Sequence, residues 1–149
     1  MRLLLVAIFA ALLPASANAA PALPVSLLTI NTANGPAKFI VEVAADPATQ
    51  ERGLMYRRGM APNAGMLFDF HQPAYVSFWM KNTILPLDMI FIRPDGTIST
   101  IAANAKPYSL DLIRSAEAVR AVLEINAGRA AALGIEPGER VRHAIFGGR

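Results

Sequence analysis

A charge that interrupts an apolar pattern has to be paired or put to use, because burying it alone is costly. Several side chains in this sequence meet that description. Asp88 lies in the run Leu87–Ile92 and shares its alternation with Ile90 and Ile92. Glu124 lies in the run Ala118–Ile125 and shares a face with Val122 and Arg120. Arg52 follows Ala48 by four residues and precedes Met55 by three, the spacing of one helical stripe. Lys81 and Asn82 follow the apolar Phe78-Trp79-Met80 and precede Pro86.

Three chemistries fit this set. Arg52 or Lys81 can pair with Asp88 or Glu124 inside the fold, with Asn82 tying down the turn before Pro86. Alternatively the set lines a pocket. Lys81 and Arg52 are then the positive contacts, Asn82 and Asp88 orient the ligand, and Trp79 is a stacking surface for a small polar or anionic molecule or a carbohydrate. In the third, Asp88 and Glu124 form a carboxylate pair for general acid–base hydrolysis. Such a pair stands about 5 Å apart in a retaining glycosidase and roughly 6.5–9.5 Å in an inverting one. A structural or interaction module would show an exposed apolar patch in place of a polar cleft.

Other chemistries are excluded or weak. The 149 residues contain no cysteine, which removes disulfides, thiolate metal sites and thiol nucleophiles. His71 and His143 stand far apart, and His71 precedes a Gln72-Pro73 turn. Met55, Met60, Met66, Met80 and Met89 could offer thioethers to copper(I), but no tight cluster exists and core filling is the default for methionine. Tyr75, Ser77 and Trp79 alternate on one strand face, which reads either as core or as a sugar-stacking surface. Neither a Gly-x-Ser-x-Gly setting nor a glycine-rich phosphate loop is present, and no cofactor is implied. The formal net charge is only +3, and the longest basic cluster is Arg57-Arg58, so nucleic-acid binding is not expected.

The elements that would position these groups begin behind an export signal. Arg2, an apolar run from Leu3 to Leu13, Pro14 and the ending Ala17-Asn18-Ala19 read as a signal peptide over 1–19, cut after Ala19. The run is too short for a membrane span, which needs about 20 apolar residues. Export predicts a periplasmic or secreted protein with no span after cleavage. Residues 20–36 are a lead-in and a first strand, Val25 to Asn31, turning at Ala33-Asn34-Gly35-Pro36 into a second strand, Lys38 to Ala44. Asp46-Pro47 caps a helix expected to reach about Arg58 and stop at Gly59.

Short strands follow over Gly65–Phe70, Tyr75–Met80, Leu87–Ile92 and Thr97–Ala102, with an irregular stretch over Ala103–Ser115. A strand over Ala118–Ile125, a short helix capped by Asn126 and ended by Gly134, and a last strand over Glu139–Phe146 complete the chain. This pattern predicts one mainly-β (α+β) domain, a compact sandwich or barrel with two short helices. The helices are too short and separate for a βαβ pattern.

The blocks Glu51-Arg52-Gly53-Leu54-Met55-Tyr56-Arg57, Gly65-Met66-Leu67-Phe68, Phe78-Trp79-Met80-Lys81-Asn82-Thr83 and Pro86-Leu87-Asp88-Met89-Ile90-Phe91 stand in this order. With Val122-Leu123-Glu124-Ile125-Asn126-Ala127-Gly128, Gly134-Ile135 and Pro137-Gly138, they make residues 37–147 resemble the domain of unknown function 192 family. The resemblance implies a small β-rich single domain, frequently exported from bacteria, and carries no settled activity. It also places Arg57 beside Arg52 on the helix, facing the Trp79–Asp88 block. The resulting expectation is a monomeric binding or accessory module of the cell envelope. Its partner is a small ligand or another envelope protein.

Overall fold

The computed structural model describes residues 22–147. Strands dominate: β1 (Val25–Thr32), β2 (Gly35–Ala44), β3 (Ala64–Ala74), β4 (Ser77–Phe78), β5 (Leu87–Ile92), β6 (Ile98–Ala105), β7 (Ile113–Arg114), β8 (Val119–Asn126) and β9 (Arg140–Arg142). Two short helices, α1 (Pro47–Arg52) and α2 (Arg129–Leu133), and a 3-10 turn at Ala144–Phe146 complete it. Seven strands form one sheet in the order β6-β5-β8-β3-β2-β1-β9, and β4 pairs with β7 apart from it. The sheet curls until its ends meet. Thr97 bridges Arg140, and the Val141 amide donates to the Gly96 carbonyl at 2.8 Å. The mainly-β, barrel-like class is as expected.

Strand alternation gives the sheet two apolar faces, each with its own core. Inside the curl lie Leu28, Ile30, Phe39, Val41, Leu67, Ile90, Ile92, Leu123, Ile125 and Val141. On the outer face of the central strands lie Met66, Phe68, Met89, Phe91 and Val122, covered by Leu54, Met80, Phe78, Leu85 and Ile113. That cover comes from the turn after α1, from β4 and the loop after it, and from β7. β5 is buried at every position because both of its faces are covered.

Several boundaries differ from expectation. α1 ends at Gly53, six residues before Gly59. Gly53 (φ +45) turns the chain onto the Phe68 ring, which an added Cβ would approach to 3.2 Å. The expected cap holds: Asp46 accepts from the Ala48 and Thr49 amides. β2 and β3 are parallel with α1 in their crossover, so a short β-α-β unit exists where none was expected. Asn126 does not cap α2; its amide donates to the Met60 and Ala61 carbonyls, and Gly128 takes the cap position. β6 reaches into the stretch expected to be irregular, and the last strand is cut to three residues. The segment 1–19 lies outside the described residues.

Candidate functional site

β8 carries Glu124 on the outer face of the sheet, beside Met66 of β3 and Met89 of β5 in the strand register. The side chain is 4% exposed and forms the floor of a cleft of about 300 Å³. The walls are Leu54, Met55, Phe68, Phe70, Val76 and Phe78; Gln50, Glu51, Arg52, Ser77, Trp79 and Thr83 also line it. Phe78 is the hub of the aromatic wall, edge-on to Phe68 at 5.1 Å and to Phe70 at 6.4 Å. Among the described residues Glu124 makes no ion pair or side-chain hydrogen bond, and burial alone pushes its carboxyl up to about 8. At neutral pH it is therefore an acid with an O–H to donate. Arg120, expected on the same face, is used elsewhere: it pairs with the buried Asp69.

Asp88 is on the other face. It is 0% exposed, its Oδ1 accepts from the Asn104 amide at 2.9 Å, and its Oδ2 accepts from the Ala130 amide at 2.9 Å. The register explains why. Leu87 pairs with Ala105 and Met89 with Ala102, so Asp88 faces a bulge in β6 that leaves an amide to satisfy. The second oxygen satisfies one of the orphan amides at the start of α2. Asp88 thus ties two elements to β5 and does not line the cleft. Neither Arg52 nor Lys81 pairs with either acid. Because Asp88 and Glu124 point to opposite faces of one sheet, the carboxylate-pair geometry does not form.

The remaining expected residues divide. Arg52 lines the cleft and two further grooves beside it, and among the described residues its guanidinium has no acidic partner. Arg57 is engaged outside the cleft by Glu42 at 2.5 Å. Trp79 is 44% exposed at the rim. Lys81 Nζ sits 5.0 Å from the Trp79 ring centroid, and Lys81 and Asn82 line the adjoining groove. Asn82 and Tyr56 both adopt positive φ, and the Tyr56 amide donates to the Asn82 carbonyl, so α1's exit is fastened to the segment after β4. Tyr75 (77% exposed), Ser77 and Trp79 face outward, which removes the core reading of that face.

The methionines and histidines have other duties. Met66, Met80 and Met89 are packed in the outer core, and Met55 accepts a long contact from Asn82. His71, at φ +62, is held to the Ala45 carbonyl at 2.8 Å. His143 Nδ1 accepts from the Ile145 amide, which leaves Nε2–H to donate to Ser26. Ser26 is consequently not activated as a nucleophile. Among the described residues no cluster of three or more His, Asp or Glu could hold a metal, and no helix is long and apolar enough to cross a membrane.

Sequence reasoning missed Gln50, Phe68, Phe70 and Val76 as cleft residues. Their strand or helix assignment was readable, but not which face α1 would cover. The signal for Glu124 was present: it is the one acid in the run Ala118–Ile125.

The chain is similar to two solved proteins over nearly its whole described length. A protein of Sinorhizobium meliloti 1021, provisionally described as a transcription regulator, is 49% identical, with a TM-score of 0.82 over 85% of this chain and 99% of its own. A protein of unknown function from Novosphingobium aromaticivorans DSM 12444 is 38% identical, with a TM-score of 0.79 over 90% of this chain and 100% of its own. No curated protein matches. The family described as uncharacterized ACR, domain of unknown function 192, matches residues 29–143. The motif blocks and all of the curled sheet except the first four residues of β1 fall within that span, and the chain belongs to this family.

Proposed function

We propose that this protein is an exported cell-envelope domain that binds a small molecule in the cleft between α1 and the outer face of the sheet. The observation that carries the reading is Glu124. A buried carboxyl with no partner, set at the floor of a cleft, costs the fold stability and gives it nothing in return. Such groups concentrate at functional sites. The cleft's size is at the small end of ligand pockets, and its mix of aromatic walls with a few polar groups is typical of them. Arg52, Trp79, Lys81 and Asn82 remain the contacts at the mouth; Arg57 and Asp88 do not. Export rests on the charged start, apolar run and Ala-x-Ala ending of residues 1–19.

The other readings have less support. The hydrolase built on Asp88 and Glu124 loses one of its two acids, because both oxygens of Asp88 are engaged on the opposite face. The regulator label of the Sinorhizobium relative is not carried over, since the Arg57-Arg58 cluster is short and Arg57 is held by Glu42. One observation favours a partner protein over the mouth: Trp79, Tyr108, Leu110 and Leu112 are exposed on segments adjoining the β4–β7 pair.

Trp79 is the only tryptophan, so its fluorescence reports on the rim without labelling. The test is a small-molecule screen by Trp79 emission and thermal shift, repeated on Val76→Phe, which enlarges an inward-facing wall residue into the cleft. A saturable response lost in Val76→Phe supports binding there. A response equal in both proteins, or no ligand at all, overturns it. Export is tested separately by expressing the full chain in a bacterial host and sequencing the N-terminus of the recovered protein. Ala20 as first residue in the periplasm or medium supports it; an intact leader in the cytoplasm refutes it.

A further inference from the structure

We propose, resting on the cleft reading above, that the ligand is a small amphipathic organic anion. Its apolar or aromatic body fills the cleft, an oxygen acceptor at its inner end meets the Glu124 carboxyl, and an anionic group at its outer end meets Arg52.

The two ends of the cleft differ chemically. At the floor stands one carboxyl, buried among Met66, Met89 and the aromatic wall, with no cation near enough to draw out its charge. In its acid form it is a single O–H donor, and a carbonyl, ether or hydroxyl oxygen is what completes it. Between floor and mouth the lining is Leu54, Phe68, Phe70, Val76 and Phe78, which supplies apolar contact and no further charge. At the mouth Arg52 has no acidic partner among the described residues, in contrast to Arg57, which Glu42 holds. One exposed acid, Glu51, lines the cleft beside Arg52, and Lys81 adds a second cation in the adjoining groove, so the cations outnumber the acid at the mouth.

The mouth therefore favours a negative group over a positive one, and a guanidinium offers paired donors that match a carboxylate. An ammonium guest is the alternative. It would have to pass Arg52, and Glu124 would have to release its proton to solvent before an ion pair could form at the floor.

Four matched compounds separate these demands in a ligand-observed NMR titration of the purified protein. They are para-acetylbenzoate, para-isopropylbenzoate, para-methylacetophenone and para-acetylbenzylammonium. The first carries acceptor, ring and anion; the second lacks the acceptor, the third lacks the anion, and the fourth replaces the anion with a cation. The expected order puts para-acetylbenzoate first, with the second and third each roughly tenfold weaker, the scale of one lost hydrogen bond or charge contact. Glu124→Leu should erase the difference between the first and second. Arg52→Gln should erase that between the first and third.

Should Glu124→Leu fail to fold, raising the pH past the Glu124 ionisation in the unaltered protein removes the same O–H and should erase the same difference. Tightest binding of para-acetylbenzylammonium, or equal binding of the first two compounds, overturns the inference and leaves the cleft reading standing. So does binding of none of the four when the Trp79 screen has found a cleft ligand. If the screen also finds none, the cleft reading itself falls.

Discussion

Glu124→Gln separates the cost of burying a carboxylate from everything else on β8. The side chain keeps its shape and loses its ionisation. In the unfolded chain Glu124 ionises near its ordinary 4.5, while burial pushes it up to about 8 in the folded protein. The folded state therefore holds one more proton than the unfolded state across that window, and stability falls as pH rises through it. The contribution is intact below 4.5 and fully lost above about 8. At about 1.4 kcal/mol per pH unit, the loss is about 3 kcal/mol at pH 7 and about 5 kcal/mol above pH 8.

Glutamine has no proton to release, so its stability lacks this slope. Its buried amide adds a cost of about 1–3 kcal/mol for unsatisfied donors, but that offset is the same at every pH. The quantity to measure is thus the difference between the two proteins in urea unfolding at pH 5, 6, 7 and 8. It should shift toward the variant by about 1.4 kcal/mol per unit, or roughly 3 °C in Tm per kcal/mol for a chain of this size. A difference that stays flat refutes the reasoning. So does one that shifts toward the unaltered protein as pH rises, because either outcome means Glu124 is already ionised in the folded state.

Asp88→Asn should cost about 3 kcal/mol in urea unfolding, since one of two amide-to-carboxylate hydrogen bonds is replaced by facing donors; a neutral result would contradict the tie to the β6 bulge and α2. Glu42→Gln, by contrast, removes a half-exposed partner of Arg57 and should cost no more than about 1 kcal/mol. His143 is held below the ordinary imidazole range by burial. The unfolded chain takes up its proton first as pH falls below about 6.5, so this residue makes stability fall with falling pH. Replacing it with Asn should flatten that limb, and an unchanged limb would mean His143 is already protonated when folded. Gly53→Ala should lower Tm, because a Cβ there meets the Phe68 ring and φ +45 is strained for alanine; an unchanged Tm would show that the turn after α1 yields freely.

The sequence by itself determined the mainly-β class, the β1–β2 hairpin, the Asp46 cap and the glycine stop of α2, because these depend on alternation and on side chains within a few residues of one another. It also singled out Asp88 and Glu124, since an acid in an apolar strand stands out on composition alone. It could not assign their roles. Alternation placed each acid correctly on a face of its own strand, but the register of β5 against β8, which sets those faces opposite, comes from long-range pairing. The β6 bulge that engages Asp88 lies sixteen residues away, and the α2 amide forty-two. The cleft needed more still. Phe68 and Phe70 come from β3, Glu124 from β8 and Gln50 from α1, and they converge only because a parallel crossover lays α1 over the outer face of a curled sheet. Local propensity sees neither the crossover nor the curl, so the acid that binds amides and the acid that faces the cleft were indistinguishable until the chain was folded.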